Sequence, residues 1–150
     1  MSNELDIRNL VPHDGSMLLL DRIDEIHANG LTASVVLNEH SPFAEARGVP
    51  AWVGVEYMGQ AIAAYAGVCA RRDGEPLRIG FLVGTRRYEP GCNYFPLGAR
   101  LAVTVEAITG ETTGLQVFYC TISGEGIDVS ANLNVYMPEN LEEFMQENPK

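Results

Sequence analysis

Residues 51–72, AWVGVEYMGQAIAAYAGVCARR, decide the fold. The stretch contains no proline, and Pro50 stands just before it, where a helix start tolerates a missing N–H. Trp52, Val53, Val55, Met58, Ala61, Ile62, Ala64, Tyr65 and Val68 cover most of a helix circumference. That distribution predicts a buried helix rather than one lying on a surface. Gly54, Gly59, Ala61, Ala63, Ala64, Ala66 and Gly67 make it unusually rich in small residues. Glycine inside a helix costs roughly 1 kcal/mol relative to alanine. Close approach of a sheet would offset that cost.

Working outward, the flanking segments read as strands. Met17–Ile23 is an apolar run passing into alternation. Asn29-Gly30 is a hairpin signal, and Leu31–Leu37 is a second strand rich in Val and Thr. The polar stretch from Asn38 to Pro50 holds Pro42, Gly48 and Pro50, and loops of that length are often functional. After the helix come Ile79–Tyr88, Arg100–Ile108, Gly114–Ser123 and Ile127–Tyr136, separated by Gly- and Pro-containing turns. The expected fold is α+β, with one long central helix wrapped by a curved antiparallel sheet. A single domain spans 1–150, and 138–150 form an acidic tail.

The chain has 150 residues, 46% of them hydrophobic and 20% charged, which excludes disorder and a second large domain. No apolar run reaches the ~18–20 residues of a membrane span, and MSNELDIRNL lacks the features of a secretory signal. The net charge of −10 argues against nucleic acid as a partner. Between Arg71 and Arg100, six arginines stand against Asp73, Glu75 and Glu89, a local +3. This island either receives an anionic ligand or pairs locally at strand ends. Cys69, Cys92 and Cys120 form no CxxC, so neither a zinc site nor a disulfide framework is expected, and a cytoplasmic setting is the simplest.

Glu56 is the residue most suggestive of chemistry. It falls in the first turns of the buried helix among Trp52, Val53, Val55, Tyr57 and Met58. A partly desolvated carboxyl there suits a general acid, and Gln60 at i+4 is placed to orient it. The bland alternative is a surface glutamate favoured by the helix dipole. His13, His27 and His40 are the only histidines, and none has metal-ligand spacing. His13 and His40 are candidate bases to complement the acid. The N–H groups at Ala51 and Trp52, at the helix start, are candidates to polarise a carbonyl oxygen.

Four of these segments resemble motifs of the hotdog-fold 3-hydroxyacyl-acyl-carrier-protein dehydratases. Leu10-Val11-Pro12-His13 followed by Met17–Ile23 resembles LPHxxPFLLVDRV, and Val55–Ala61 resembles LEAMAQ. Gly80–Tyr88 is similar to FAGxDxxRF, and Phe95–Leu101 to PVxPGDxL. The form VPAWxGxEYMxQA is similar to the ApeP-like subgroup associated with aryl polyene gene clusters.

The resemblance implies a hotdog dimer, with the two sheets continuous across the interface. It implies Glu56 as the acid, and Ala51 at the position whose N–H polarises the thioester carbonyl, where the family has glycine. His13 matches a histidine lining the tunnel. The family's catalytic histidine lies fourteen residues before the acid, and that position here is Pro42. The expected activity is hydro-lyase: dehydration of a 3-hydroxyacyl thioester carried on the phosphopantetheine of acyl carrier protein, with no other cofactor and no metal. A histidine, His13 by preference, would take the C2 proton while Glu56 protonates the departing hydroxyl. Phe81, Val83 and Val55 would line an acyl channel. The rival readings are a non-catalytic hotdog subunit completing a heterodimer, which the absent histidine motif favours, and an acyl thioesterase in which Glu56 activates water.

Overall fold

Alternating residues in four segments are buried with period two: Leu31, Ala33 and Val35; Leu101, Val103 and Val105; Phe118, Cys120 and Ile122; Ile127, Val129, Ala131, Leu133 and Val135. One face of a sheet is thereby apolar and must be covered. The computed structural model describes residue 7 and residues 18–74, 81–86, 88–108 and 115–136, with the side chains of 81–83 and 85–86 outside that set. The strands are β1 (Arg22–His27), β2 (Gly30–Val36), β3 (Val49–Pro50), β4 (Phe81–Arg86), β5 (Tyr94–Phe95), β6 (Arg100–Ala107), β7 (Leu115–Gly124) and β8 (Ile127–Tyr136). Six of them form one antiparallel sheet in the order β1-β2-β6-β7-β8-β4, and β3 pairs with β5 separately.

The cover is a 3₁₀ turn, Ala51–Val53, running into helix α1, Gly54–Arg72. The helix lies across β2, β6 and β7. Tyr57, Met58, Ala61, Ile62, Ala64 and Val68 face the sheet. Beneath them run registered rows such as Leu31–Val105–Cys120–Ala131 and Ala33–Val103–Ile122–Val129. This is the hotdog arrangement expected from the sequence.

Several expectations are corrected. Of the expected strand Met17–Ile23, Met17 lies outside the described residues, residues 18–21 are not in a strand, and the first strand runs from Arg22 to His27. Leu18–Leu20 run without regular structure, and the Leu19 N–H is taken by the Gln60 side chain instead of a neighbouring strand. The hairpin turn is Ala28-Asn29, because His27 pairs with Gly30 as the first rung of β2. Gly30 is required by crowding: a Cβ there would run into the Val105 carbonyl. Strand order also departs from chain order at the strand after α1. It crosses to the far edge and pairs with β8, while β6 pairs with β2.

The helix is also less enclosed than its composition suggests. Glu56 is exposed, and Val55, Gly59, Ala63, Tyr65 and Ala66 are half-buried. Among the described residues, the sheet covers one side of α1 and the side carrying Glu56 is exposed or half-buried. Of the helix glycines, Gly54 packs tightly under Tyr88, whereas a Cβ at Gly59 would meet nothing. Close approach of the sheet therefore does not account for Gly59. The acidic tail from Pro138 lies outside the described residues.

Candidate active site

The start of α1 is anchored from three sides. Gly48 adopts φ 128°, and a Cβ there would meet the Phe95 carbonyl, so the β3–β5 pairing needs glycine at this point. The Ala51 N–H then donates to the Asn93 carbonyl at 2.9 Å. The Ala51 carbonyl accepts from the Tyr88 hydroxyl and from the Gly54 N–H. Tyr88 is half-buried, and burial together with nearby Cys92 pushes its phenol up to about 12, so it donates as a neutral hydroxyl.

This geometry divides the two N–H groups singled out in the sequence. That of Ala51 is committed to Asn93. That of Trp52 precedes the first hydrogen bond of the turn, which runs from Gly54 back to Ala51. The Trp52 ring is 61% exposed and meets Phe43 edge-on, with centroids 5.4 Å apart. Phe43 adopts φ 70° and is itself 48% exposed. Two aromatic rings thus stand in solvent beside the helix start.

Glu56 lies one turn beyond Trp52, on the same side of the helix. It is the acidic residue of the first turn, where the helix dipole favours a carboxylate. The expected burial is not seen: its side chain is exposed in the single chain. Gln60, at i+4, is 1% exposed and accepts the Leu19 N–H at 2.8 Å. Beside it, Tyr57 packs against Phe95 with centroids 6.3 Å apart, and burial raises its phenol well above the ordinary value.

Of the histidines, His13 lies outside the described residues. His40 sits in a locally wired turn: its N–H donates to Asn38 Oδ1 at 2.7 Å, and the Asn38 N–H donates to Ser41 Oγ at 2.9 Å. The turn presents the His40 imidazole to solvent, 87% exposed and 3.5 Å from Glu39. His27 is the last residue of β1 and bonds Thr32 Oγ1 at 2.9 Å, in a chain that continues to Thr104. Among the described residues no cluster of His, Cys, Asp and Glu could hold a metal.

Val55 is half-buried on α1. Phe81 and Val83 belong to β4, with Val83 at a register break between Leu82 and Gly84; their side chains are outside the described set. In the arginine island, Arg71 and Arg72 end α1 in solvent, while Arg100 pairs with Asp24 at 3.4 Å. Local pairing thus accounts for Arg100. The features that the sequence did not reveal are the β3–β5 pair and the Tyr88 contact. Both join residues tens of positions apart, which no local pattern encodes.

Residues 5–146 match the family model of the ApeP dehydratases. Among solved structures, the chain is similar to one in the dehydratase heterocomplex ApeI:P from Xenorhabdus doucetiae. That likeness has a TM-score of 0.86 and 26% identity, and covers 97% of this chain and 99% of that one. A hypothetical thioesterase from Streptococcus pneumoniae TIGR4, solved with coenzyme A, is similar at TM-score 0.59 and 13% identity over 77% and 84% of the two chains. A mutant form of thioesterase PA1618 from Pseudomonas aeruginosa is similar at 0.56 and 18% over 83% and 84%. These two share the fold. Comparison with curated proteins finds no significant match. No helix among the described residues is long and apolar enough to cross a membrane. The chain is a dehydratase-like hotdog protein and belongs to the ApeP-like family.

Proposed function

We propose that the chain works as a 3-hydroxyacyl thioester dehydratase in the cytoplasm, acting on acyl carrier protein and assembled with a second hotdog chain. The observation that carries this reading is the placement of Glu56. It stands exposed at the open side of α1, one turn from the Trp52 N–H. An acid and a backbone donor on one open face are two of the three groups that elimination of water needs. The thioester oxygen would lie against the Trp52 N–H, which stabilises the enolate as the C2 proton leaves. A histidine takes that proton, His13 by preference and His40 as the second candidate. Glu56 gives its proton to the C3 hydroxyl, and the C–O bond breaks to release water.

The open side of α1, with Glu56, half-buried Ala63 and the space around Gly59, supports a partner subunit. The solved relative named as a heterocomplex supports the same assembly. Covering this face would exclude water and desolvate Glu56, which single-chain burial does not do.

The test is to present the protein, alone and with a co-expressed hotdog partner, with a 3-hydroxyacyl carrier substrate. Loss of 18 Da from the acyl chain reports dehydration, and free acid reports hydrolysis. Glu56→Gln should abolish the loss, and undiminished turnover removes Glu56 from the mechanism. A second reading is favoured by Pro42 and Phe43 standing in the loop where the histidine motif is absent: a non-catalytic subunit. In that case activity belongs to the partner and survives Glu56→Gln.

A further inference from the structure

The peptide joining Ala51 to Trp52 is held by its carbonyl. That oxygen accepts from Gly54 along the turn and from Tyr88, a residue 37 positions away in sequence. No peptide in the described chain is cis, and a planar trans peptide directs its N–H opposite to its C=O. Fixing the carbonyl therefore fixes where the Trp52 N–H points. It points away from Tyr88 and back along the helix toward its N-terminal end. Helical side chains also tilt toward the N-terminus, so Glu56 leans over the turn that holds Trp52.

Tyr88 is held in place in its turn. Its ring joins the partly buried shell of the core, and its hydroxyl occupies the space that a side chain at residue 54 would need. A methyl group at Gly54 would overlap that hydroxyl, and Ile122 Cδ1 closes the pocket at 3.0 Å. Gly54 thus has a packing reason for its cost inside the helix. The hydrogen bond also draws electron density toward the carbonyl oxygen, which makes the N–H of the same peptide a stronger donor.

We infer that Tyr88 is a positioning residue: by clamping the Ala51 carbonyl it aims and polarises the Trp52 N–H as the donor that receives the thioester oxygen. The inference rests on the dehydratase reading for the identity of that oxygen, but the clamp itself can be measured separately. Misplacing a catalytic contact by about an ångström costs up to ~100-fold in rate. Tyr88→Phe removes the clamp and keeps the ring.

The experiment uses the assembly that turns over a 3-hydroxyacyl carrier substrate. Tyr88→Phe should lower kcat on the order of tenfold or more, with KM changed by less than about twofold. Unchanged kcat overturns the proposal. The second readout is the ¹⁵N resonance of the Trp52 amide in the labelled protein, which responds to a hydrogen bond on its own carbonyl. It should move in Tyr88→Phe, and an unmoved resonance overturns the proposal whatever the activity. The third is a cycle with Gly54→Ala, whose effect on the unfolding midpoint should be smaller in the Tyr88→Phe background. Equal effects in both backgrounds place the hydroxyl elsewhere and overturn the proposal. Should Tyr88→Phe fail to fold, Gly54→Ala dislodges the hydroxyl with the ring retained and is read by the same kcat and resonance. If the unaltered assembly shows no dehydration, the functional reading fails, and the resonance and the cycle still decide the clamp.

Discussion

Replacing Gln60 by leucine removes the side-chain hydrogen bond that couples α1 to the chain entering β1. Gln60 is 1% exposed, and its Oε1 accepts the Leu19 N–H at 2.8 Å. Leucine has nearly the same volume, so Gln60→Leu deletes the acceptor with little change in packing. Leu19 is 6% exposed, and its N–H would be stranded away from water. A stranded buried donor costs about 1–3 kcal/mol. Removing the buried amide returns part of that, which leaves about 1–2 kcal/mol. For a chain of this length each kcal/mol moves Tm by about 2–4 °C, so Tm should fall by about 2–8 °C. Thermal unfolding followed by far-UV circular dichroism measures that fall, and urea unfolding gives the corresponding denaturant midpoint, both at one fixed protein concentration because subunit association shifts apparent stability. The midpoint should fall with the slope unchanged. A midpoint equal to or above that of the parent refutes the argument, because Leu19 would then have no need of Gln60.

Other expectations concern packing and ionisation. Phe118, 1% exposed and edge-on to Tyr65 at 6.1 Å, should cost about 3–5 kcal/mol when cut to alanine, read from the same urea midpoints. Burial raises both the Tyr57 and the Tyr88 phenol, Tyr88 to about 12, whereas an unfolded tyrosine titrates near about 10. Between about pH 10 and 12 the unfolded chain has therefore released protons that the folded chain keeps, so stability falls as pH rises through that window. A urea midpoint that stays level from about pH 9 to pH 11 counts against this. Burial also pushes the Cys120 thiol up to about 12, while Cys92 is exposed. Iodoacetamide at about pH 8 should alkylate Cys92 in the folded protein and reach Cys120 only after denaturant is added, as intact mass and peptide mapping would show.

The parts of the fold that sequence revealed are those set by local period. Leu101–Val105 and Ile127–Val135 alternate, and β6 and β8 lie where that alternation places them. The helix was legible over Ala51–Arg72 because no breaker interrupts it, although its first three residues wind as a 3₁₀ turn and the α-helix proper starts at Gly54. Misreadings arose where one residue type serves two purposes. Gly30 reads as a turn glycine, yet it sits in a strand because the Val105 carbonyl leaves no room for a Cβ. Leu18–Leu20 read as a strand because they are apolar, yet burial of Leu19 and Leu20 is met by packing under the Gln60 side chain's hydrogen bond rather than by a ladder. The crossing of β4 to the far edge was invisible because strand order is set by long-range pairing.

The site poses a different problem. Trp52, Val55, Gly59 and Ala63 contribute to an apolar circumference, and a helical wheel cannot say whether each is covered by its own sheet or by another chain. The helix pattern predicted a buried helix with a partly desolvated Glu56, against the alternative of a surface glutamate. The structure separates the two: Met58, Ala61 and Ile62 are covered by this chain's own sheet, while Glu56 and Trp52 are left in solvent. Trp52 and Phe43 put two adjoining aromatic rings in solvent beside the helix start, which is the kind of surface that a second hotdog chain of the proposed assembly would cover. In the proposed mechanism, exclusion of water from around Glu56 comes from assembly. Dehydratase activity should accordingly depend on protein concentration, rising with subunit association and lost on dilution below the dissociation constant. Activity per chain that stays constant across that range would mean that Glu56 works in water, and the assembly argument would fail.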